Sequence, residues 1–184
     1  MDKTDIFIAG VGGQGSLSAS TFLGLAAAQA DLKVTVGEIH GMAQRGGIVT
    51  STVRIGSDVH GSIISQGDAD VVLGFEPVET WRALQMMSKQ TLVITNTRPI
   101  VPANVSMAGA SYPEPEEVVA EIAKVAGRVV PLDATAVAAE EGNPMAANAV
   151  LLGVLAGTGE LPFDKKFLLE VIRENVPPKA IEVN

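Results

Sequence analysis

Apolar residues fall into short blocks separated by glycine, proline and small polar residues. The first block, residues 5–11, has the length and β-branched content of a buried strand. Glycines follow at Gly10, Gly12, Gly13 and Gly15. Residues 16–30 are rich in Ala and Leu, with Leu17, Phe22, Leu25 and Ala26 near helical spacing. A second strand over 33–36 ends at Gly37-Glu38. A strand–loop–helix–strand opening of this kind starts a parallel sheet.

Residues 39–47 read as a loop, and residues 48–55 as a strand rich in Val, Ile and Thr. Gly56-Ser57-Asp58 is a turn, and residues 59–64 are available to return as a hairpin partner. Further strands are expected at 70–75, 91–95 and 128–132, with a short one at 105–108 inside an irregular, proline-bearing stretch over 96–115. Pro77 sits just inside a helix running to about residue 87. Helices are expected at 116–126, then from the N-cap Asp133 to Gly142, from Pro144 to about 155, and from the N-cap Asp164 to about 174. The pattern predicts an α/β fold: a three-layer, Rossmann-like, mostly parallel sheet with helices on both faces and a β-hairpin addition around 48–64. One domain is expected over 1–184.

Composition narrows the chemistry. The 184 residues contain no cysteine, which removes disulfides, thiolate metal ligands, cluster ligation and a catalytic thiol. No metal site is expected. Thirteen basic against 21 acidic side chains give a net charge of −8, so neither nucleic acid nor an anionic membrane finds a basic footprint. Residues 1–60 hold four basic and five acidic side chains, and the rest carries −7 of the −8. Hydrophobic residues make up 47% and aromatics 4%, so the core is built from Ala, Val, Ile and Leu, as in a sheet buried on both faces. Two acids among residues 1–5 and a break at Gly10 do not make a secretory signal, and no apolar run spans a membrane. A cytoplasmic setting is expected.

Two stretches carry candidate chemistry. Gly10-x-Gly12-x-x-Gly15 follows a strand and opens a helix, and Glu38 lies 23 residues beyond Gly15. This is the layout that binds a dinucleotide: glycines allow close phosphate approach, the helix N-terminus attracts the anion and the acid holds ribose. The same glycines also serve a plain tight turn, or a site for another anion. The second stretch, residues 38–47, packs Glu38, His40, Gln44 and Arg45 into eight positions. Arg45 before two glycines leaves its fork free to approach a carboxylate or phosphate. A structural ion pair between Arg45 and Glu38, and a hydrogen-bonded structural His40, are the plainer readings.

Gly10-Val11-Gly12-Gly13-Gln14-Gly15, then Glu38-Ile39-His40-Gly41-Met42-Ala43-Gln44-Arg45-Gly46-Gly47, then Val53-Arg54, resemble the gamma-type subunit of 2-oxoacid:ferredoxin oxidoreductases. His40 to Gly47 is most similar to the small subunit of the indolepyruvate branch. Gly67-Asp68-Ala69-Asp70, Phe75-Glu76-Pro77-Val78-Glu79, Asn96-Thr97, Gly142-Asn143, Asn148 and Leu152-Gly153 fit the later pattern, so the likeness covers about residues 5–160.

The resemblance implies a subunit that is inactive alone, within a complex that converts a 2-oxoacid and coenzyme A to an acyl-CoA and carbon dioxide. An aryl pyruvate such as indolepyruvate is the implied substrate. Thiamine diphosphate and iron–sulfur clusters are implied in a large partner subunit, with electrons passing to ferredoxin. The chain lacks cysteine and lacks the Gly-Asp-Gly thiamine signature, since Ala69 follows Gly67-Asp68. Its implied part is to help close the active-site cleft. Glu38, His40, Gln44 and Arg45 are carried over as supporting catalytic candidates. Gly10, Gly12, Gly13, Gln14 and Gly15 are carried over as an anion or coenzyme A loop. The readings that compete are a stand-alone NAD-binding oxidoreductase and a scaffold subunit.

Overall fold

The computed structural model describes residues 3–41, 47–101 and 111–181. Six strands, β1 (Thr4–Val11), β2 (Val34–His40), β3 (Ile48–Ile55), β4 (Val71–Gly74), β5 (Leu92–Asn96) and β6 (Arg128–Leu132), form one sheet in the order β2-β3-β1-β4-β5-β6. β1, β4, β5 and β6 pair in parallel. β3 is antiparallel to both of its neighbours, so the mostly parallel sheet carries one reversed strand.

That strand corrects the expected hairpin around 48–64. β3 pairs along one edge with β1, from Thr4↔Ile55 to Val11↔Ile48, and along the other with β2, from Val34↔Ile55 to His40↔Val49. Both of its edges are taken, so residues 59–64 have no edge to join and form no strand. They cross one face of the sheet instead. Arg54 Nη1 donates to the carbonyls of Gly61 (3.0 Å) and Ile63 (2.7 Å), and Thr52 Oγ1 donates to that of Ser62 (2.6 Å). These side chains supply the donors that a partner strand would have given.

Helices α1 (Ser16–Gln29), α2 (Pro77–Arg82), α3 (Pro115–Val125), α4 (Ala134–Glu140), α5 (Ala147–Thr158) and α6 (Lys165–Asn175) cover the sheet. Ile6, Ile8, Val53, Ile55, Leu73 and Ile94 meet α1, α5 and α6 in one apolar cluster. Ala9, Val72 and Val93 meet α2 and α3 in the other. The two clusters follow from side-chain alternation along each strand and make the three layers. The expected caps form: Asp133 Oδ1 accepts from Ala136 N at 2.8 Å, and Asp164 Oδ1 from Lys166 N at 2.9 Å. Single 3-10 turns at Ala83–Met86 and Pro144–Ala146 replace parts of the expected helices. The strand expected at 105–108 lies outside the described residues.

Because β1, β4 and β5 are parallel neighbours, Val11, Phe75 and Asn96 emerge at one end of the sheet. The site is built there, where loops leave the carboxyl ends of parallel strands.

Candidate functional site

The glycine loop closes on itself through one side chain. Gln14 Oε1 accepts from Val11 N at 2.7 Å, and Gln14 Nε2 donates to the Phe75 carbonyl at 2.8 Å. Gly15, at φ 82, is the left-handed residue from which α1 starts. A Cβ there would lie 2.9 Å from the Asn148 amide, so the position excludes a side chain twice over. No side chain caps α1. Its first-turn amides and dipole therefore present positive potential at the loop. Gly12 N donates to the Gly47 carbonyl at 2.8 Å, tying the loop to the start of β3.

A cleft of about 340 Å³ opens beside the loop. Gly12, Gly13 and Gln14 of the loop line it together with Phe75 and Asn96, the Arg98–Ile100 wall, and Pro144 and Met145. Asn96 is buried and fully used. Its Nδ2 donates to Phe75 O (3.3 Å) and Thr135 Oγ1 (3.0 Å), and its Oδ1 accepts from Ala134 N (3.0 Å) and Arg98 N (3.3 Å). Both amides that line the cleft, Gln14 and Asn96, thus spend hydrogen bonds on the protein. What the cleft offers a ligand is apolar surface from Val11, Phe75, Ile100 and Met145, and one cationic side chain, Arg98. The Arg98 guanidinium is half exposed and lies 2.7 Å from Asp133 Oδ2. The α1 N-terminus follows directly after Gln14, which lines the cleft.

The wall that carries Arg98 and Ile100 hangs from Glu76. This carboxylate is 1% exposed. Its Oε2 accepts from Glu79 N at 3.0 Å and caps α2, while its Oε1 accepts from Ile100 N at 3.3 Å and from the Tyr112 hydroxyl. Burial, and next the bond to the Glu76 carboxylate, push the Tyr112 phenol well above its ordinary range, so it stays protonated and donates. Burial also raises the Glu79 carboxyl, with Arg82 opposing and Glu76 adding to the shift.

The second group of sequence candidates is placed differently. Glu38 sits on β2, level with Ser51 of β3 and, beyond it, Ile8 of β1. Two strand spacings separate it from β1, roughly 10 Å. The Ser20 hydroxyl donates to Glu38 Oε1 at 3.1 Å, binding it to the flank of α1. A dinucleotide site needs its acid on the strand adjacent to the glycine-bearing one, and here β3 stands between. His40 ends β2 with its backbone in register with Val49. Gln44 and Arg45 lie outside the described residues. Arg54 is at the far end of β1, where Nε and Nη2 grip Asp5 at 2.8 and 3.2 Å in a buried structural pair. Among the described residues no group of three or more His, Cys, Asp or Glu could hold a metal ion.

The sequence reading missed Arg98, Ile100 and Tyr112. They sit in or beside the irregular stretch, where no periodicity marks a position. Asn96 did carry a signal: a lone amide closing an apolar strand.

The family model described as pyruvate ferredoxin/flavodoxin oxidoreductase matches residues 5–184. The indolepyruvate oxidoreductase subunit IorB of Pyrococcus horikoshii is 47% identical over 185 residues, covering all of this chain and 92% of that protein. The IorB subunit of Archaeoglobus fulgidus is 43% identical over 182 residues, covering 99% and 90%. The structure resembles the pyruvate oxidoreductase subunit PORC of Thermotoga maritima, with a TM-score of 0.69 and 21% identity over 99% of this chain and 90% of that one. It also resembles a 2-oxoglutarate:ferredoxin oxidoreductase of Magnetococcus marinus, solved with 2-oxoglutarate, coenzyme A and succinyl-CoA, at TM-score 0.73 and 23% identity. There all of this chain matches 28% of the longer one. At these identities the likeness to the two structures is one of fold.

Proposed function

The chain belongs to the pyruvate ferredoxin/flavodoxin oxidoreductase family, and from that premise we propose that it is the cofactor-poor subunit of an indolepyruvate:ferredoxin oxidoreductase. The observation that carries the reading is 47% identity to an IorB subunit along the whole chain. The complex would take an aryl 2-oxoacid and coenzyme A to the acyl-CoA, carbon dioxide and a proton, passing two electrons to ferredoxin. Thiamine diphosphate and the iron–sulfur clusters would sit in a larger partner subunit. The absence of cysteine from the sequence supports that division, since clusters are held by thiolates. The chain would act as one domain over residues 1–184, in the cytoplasm.

Its own part is binding and enclosure. The cleft joins apolar walls to the Arg98 guanidinium, and the α1 N-terminus begins just beyond its lining residue Gln14. A phosphorylated, partly apolar substrate such as coenzyme A suits that combination. Thiamine supplies the carbanion chemistry in the partner. This chain orients the acyl acceptor and keeps water from the reacting carbon. Glu38, His40, Gln44 and Arg45 are proposed to line the junction with the partner, with Arg45 meeting a carboxylate or phosphate. None of them is asked to move a proton.

Co-expression with and without the larger subunit tests the reading. We expect no indolepyruvate-dependent dye reduction from the purified chain and turnover from the assembled pair. Full activity of the large subunit without this chain overturns the proposal, as does turnover by this chain alone.

A further inference from the structure

We propose that Glu76 is a positioning residue for the cleft and that Tyr112 is its working partner. Together they hold the Arg98–Ile100 wall at the height where it contacts the acyl acceptor. The proposal rests on the reading that coenzyme A enters this cleft.

A buried carboxylate is costly, and capping a helix does not require one. Asn, Ser or Thr caps as well, and only Oε2 of Glu76 serves the cap. Its other oxygen reaches away from α2. Glu76 Oε1 accepts from Ile100 N, 24 residues on, and from the Tyr112 hydroxyl, 36 residues on. One oxygen atom thus fastens both sides of the chain segment between them to the base of α2. Among the described residues no Lys or Arg pairs with Glu76, and its polar partners are these three donors.

The wall is pinned at alternate heights. Thr97 N donates to the Leu132 carbonyl at 2.9 Å, Arg98 N to Asn96 Oδ1, and Ile100 N to Glu76 Oε1. The first two bonds fix the root of the wall at the end of β5. The third ties down its outer edge. Ile100 is 39% exposed, with little packing to hold it otherwise. Release of the third bond lets Ile100 drift from the glycine loop without disturbing the sheet, and widens the cleft beside an Arg98 guanidinium that stays paired with Asp133. Binding geometry is sensitive to displacements of about 1 Å.

Three variants in the assembled complex test this: Tyr112→Phe, Glu76→Gln and Arg98→Ala. The readouts are KM for coenzyme A, KM for the 2-oxoacid, kcat and melting temperature. Tyr112→Phe removes one donor and leaves the α2 cap. Glu76→Gln turns one acceptor into a donor that faces other donors. We expect both to raise the coenzyme A KM at least threefold, with kcat and the oxoacid KM within twofold. A purely structural role lowers the melting temperature and leaves the coenzyme A KM in place. An unchanged coenzyme A KM in either variant, with Arg98→Ala still raising it, overturns the role of Glu76 and spares the cleft. An unchanged coenzyme A KM in Arg98→Ala removes coenzyme A from the cleft, and both readings fall.

Discussion

Gln14 and Phe75 join the ends of β1 and β4 through one hydrogen bond of 2.8 Å, from the Gln14 amide to the Phe75 carbonyl. The same amide accepts from Val11 N at 2.7 Å, so one side chain closes the glycine loop and locks it to the next strand. A close approach makes this possible: a Cβ on Gly10 would lie 2.8 Å from Cβ of Phe75. Gln14→Ala removes both bonds and leaves a backbone N–H unpaired. The expected loss is about 1–3 kcal/mol, read as a lower urea midpoint. Gln14→Glu sets an anionic oxygen against the Phe75 carbonyl. Its loss should exceed that of Gln14→Ala at pH 7 and shrink at pH 4, where the acid is protonated.

Much of this end of the molecule was legible beforehand. The glycine spacing located the loop, and the strand blocks located β1, β4 and β5. The position of β3 was not legible. Consecutive strands separated by a helix suggest β2 beside β1, and only the long-range register, from Thr4↔Ile55 onward, shows β3 between them. That single insertion moves Glu38 away from the glycine loop. Glu76 was obscured for a different reason. An acid in a sequence reads as surface, and its burial becomes sensible only when Glu79 N, Ile100 N and Tyr112 converge on it. Arg98 lay hidden among prolines, because an irregular wall has no period to betray it.

Asp5 and Arg54 pair at the other end of β1. Burial alone would raise the Asp5 carboxyl. The Arg54 guanidinium, and then the Lys3 ammonium at 2.6 Å, outweigh that and hold it below its ordinary value of 3.8. A carboxyl with a lowered folded-state pKa contributes stability above its unfolded value, and that contribution fades as pH falls through the folded one. Stability from this pair should therefore be flat above about pH 5 and decline below 3.8. Arg54→Met leaves a buried charge short of a partner and should cost about 3–5 kcal/mol near neutrality. Asp5→Leu combined with Arg54→Met should cost less than Arg54→Met alone, checked by denaturation at pH 7.

Gly74 ends β4 directly beneath Thr80 of α2. A Cβ at this position would fall inside the Thr80 side chain. Thr80 cannot step aside cheaply, because its hydroxyl donates to the Glu76 carbonyl at 2.7 Å and lies 2.9 Å from Thr95 Oγ1. Gly74→Ala should destabilise the chain by about 1–3 kcal/mol through overpacking. The Thr80 hydroxyl oxygen is the atom met first, so Gly74→Ala with Thr80→Ala, which removes it together with the methyl, should recover part of the loss in melting temperature.

The sheet order also decides what the isolated chain does with NADH. In a dinucleotide site the phosphate loop and the ribose-binding acid belong to neighbouring strands, so one ligand reaches both. Here β3 occupies the neighbouring place, and the Glu38 carboxylate is engaged by Ser20 on the side of α1. The loop can still attract an anion, because that property belongs to the α1 N-terminus and does not depend on Glu38. Titration of the purified chain with NADH should accordingly give no saturable fluorescence change in the micromolar range. Glu38→Ala should leave that titration as it was. Micromolar NADH binding that disappears in Glu38→Ala would mean that the two elements meet on one ligand despite the inserted strand. The stand-alone dehydrogenase would then displace the subunit reading.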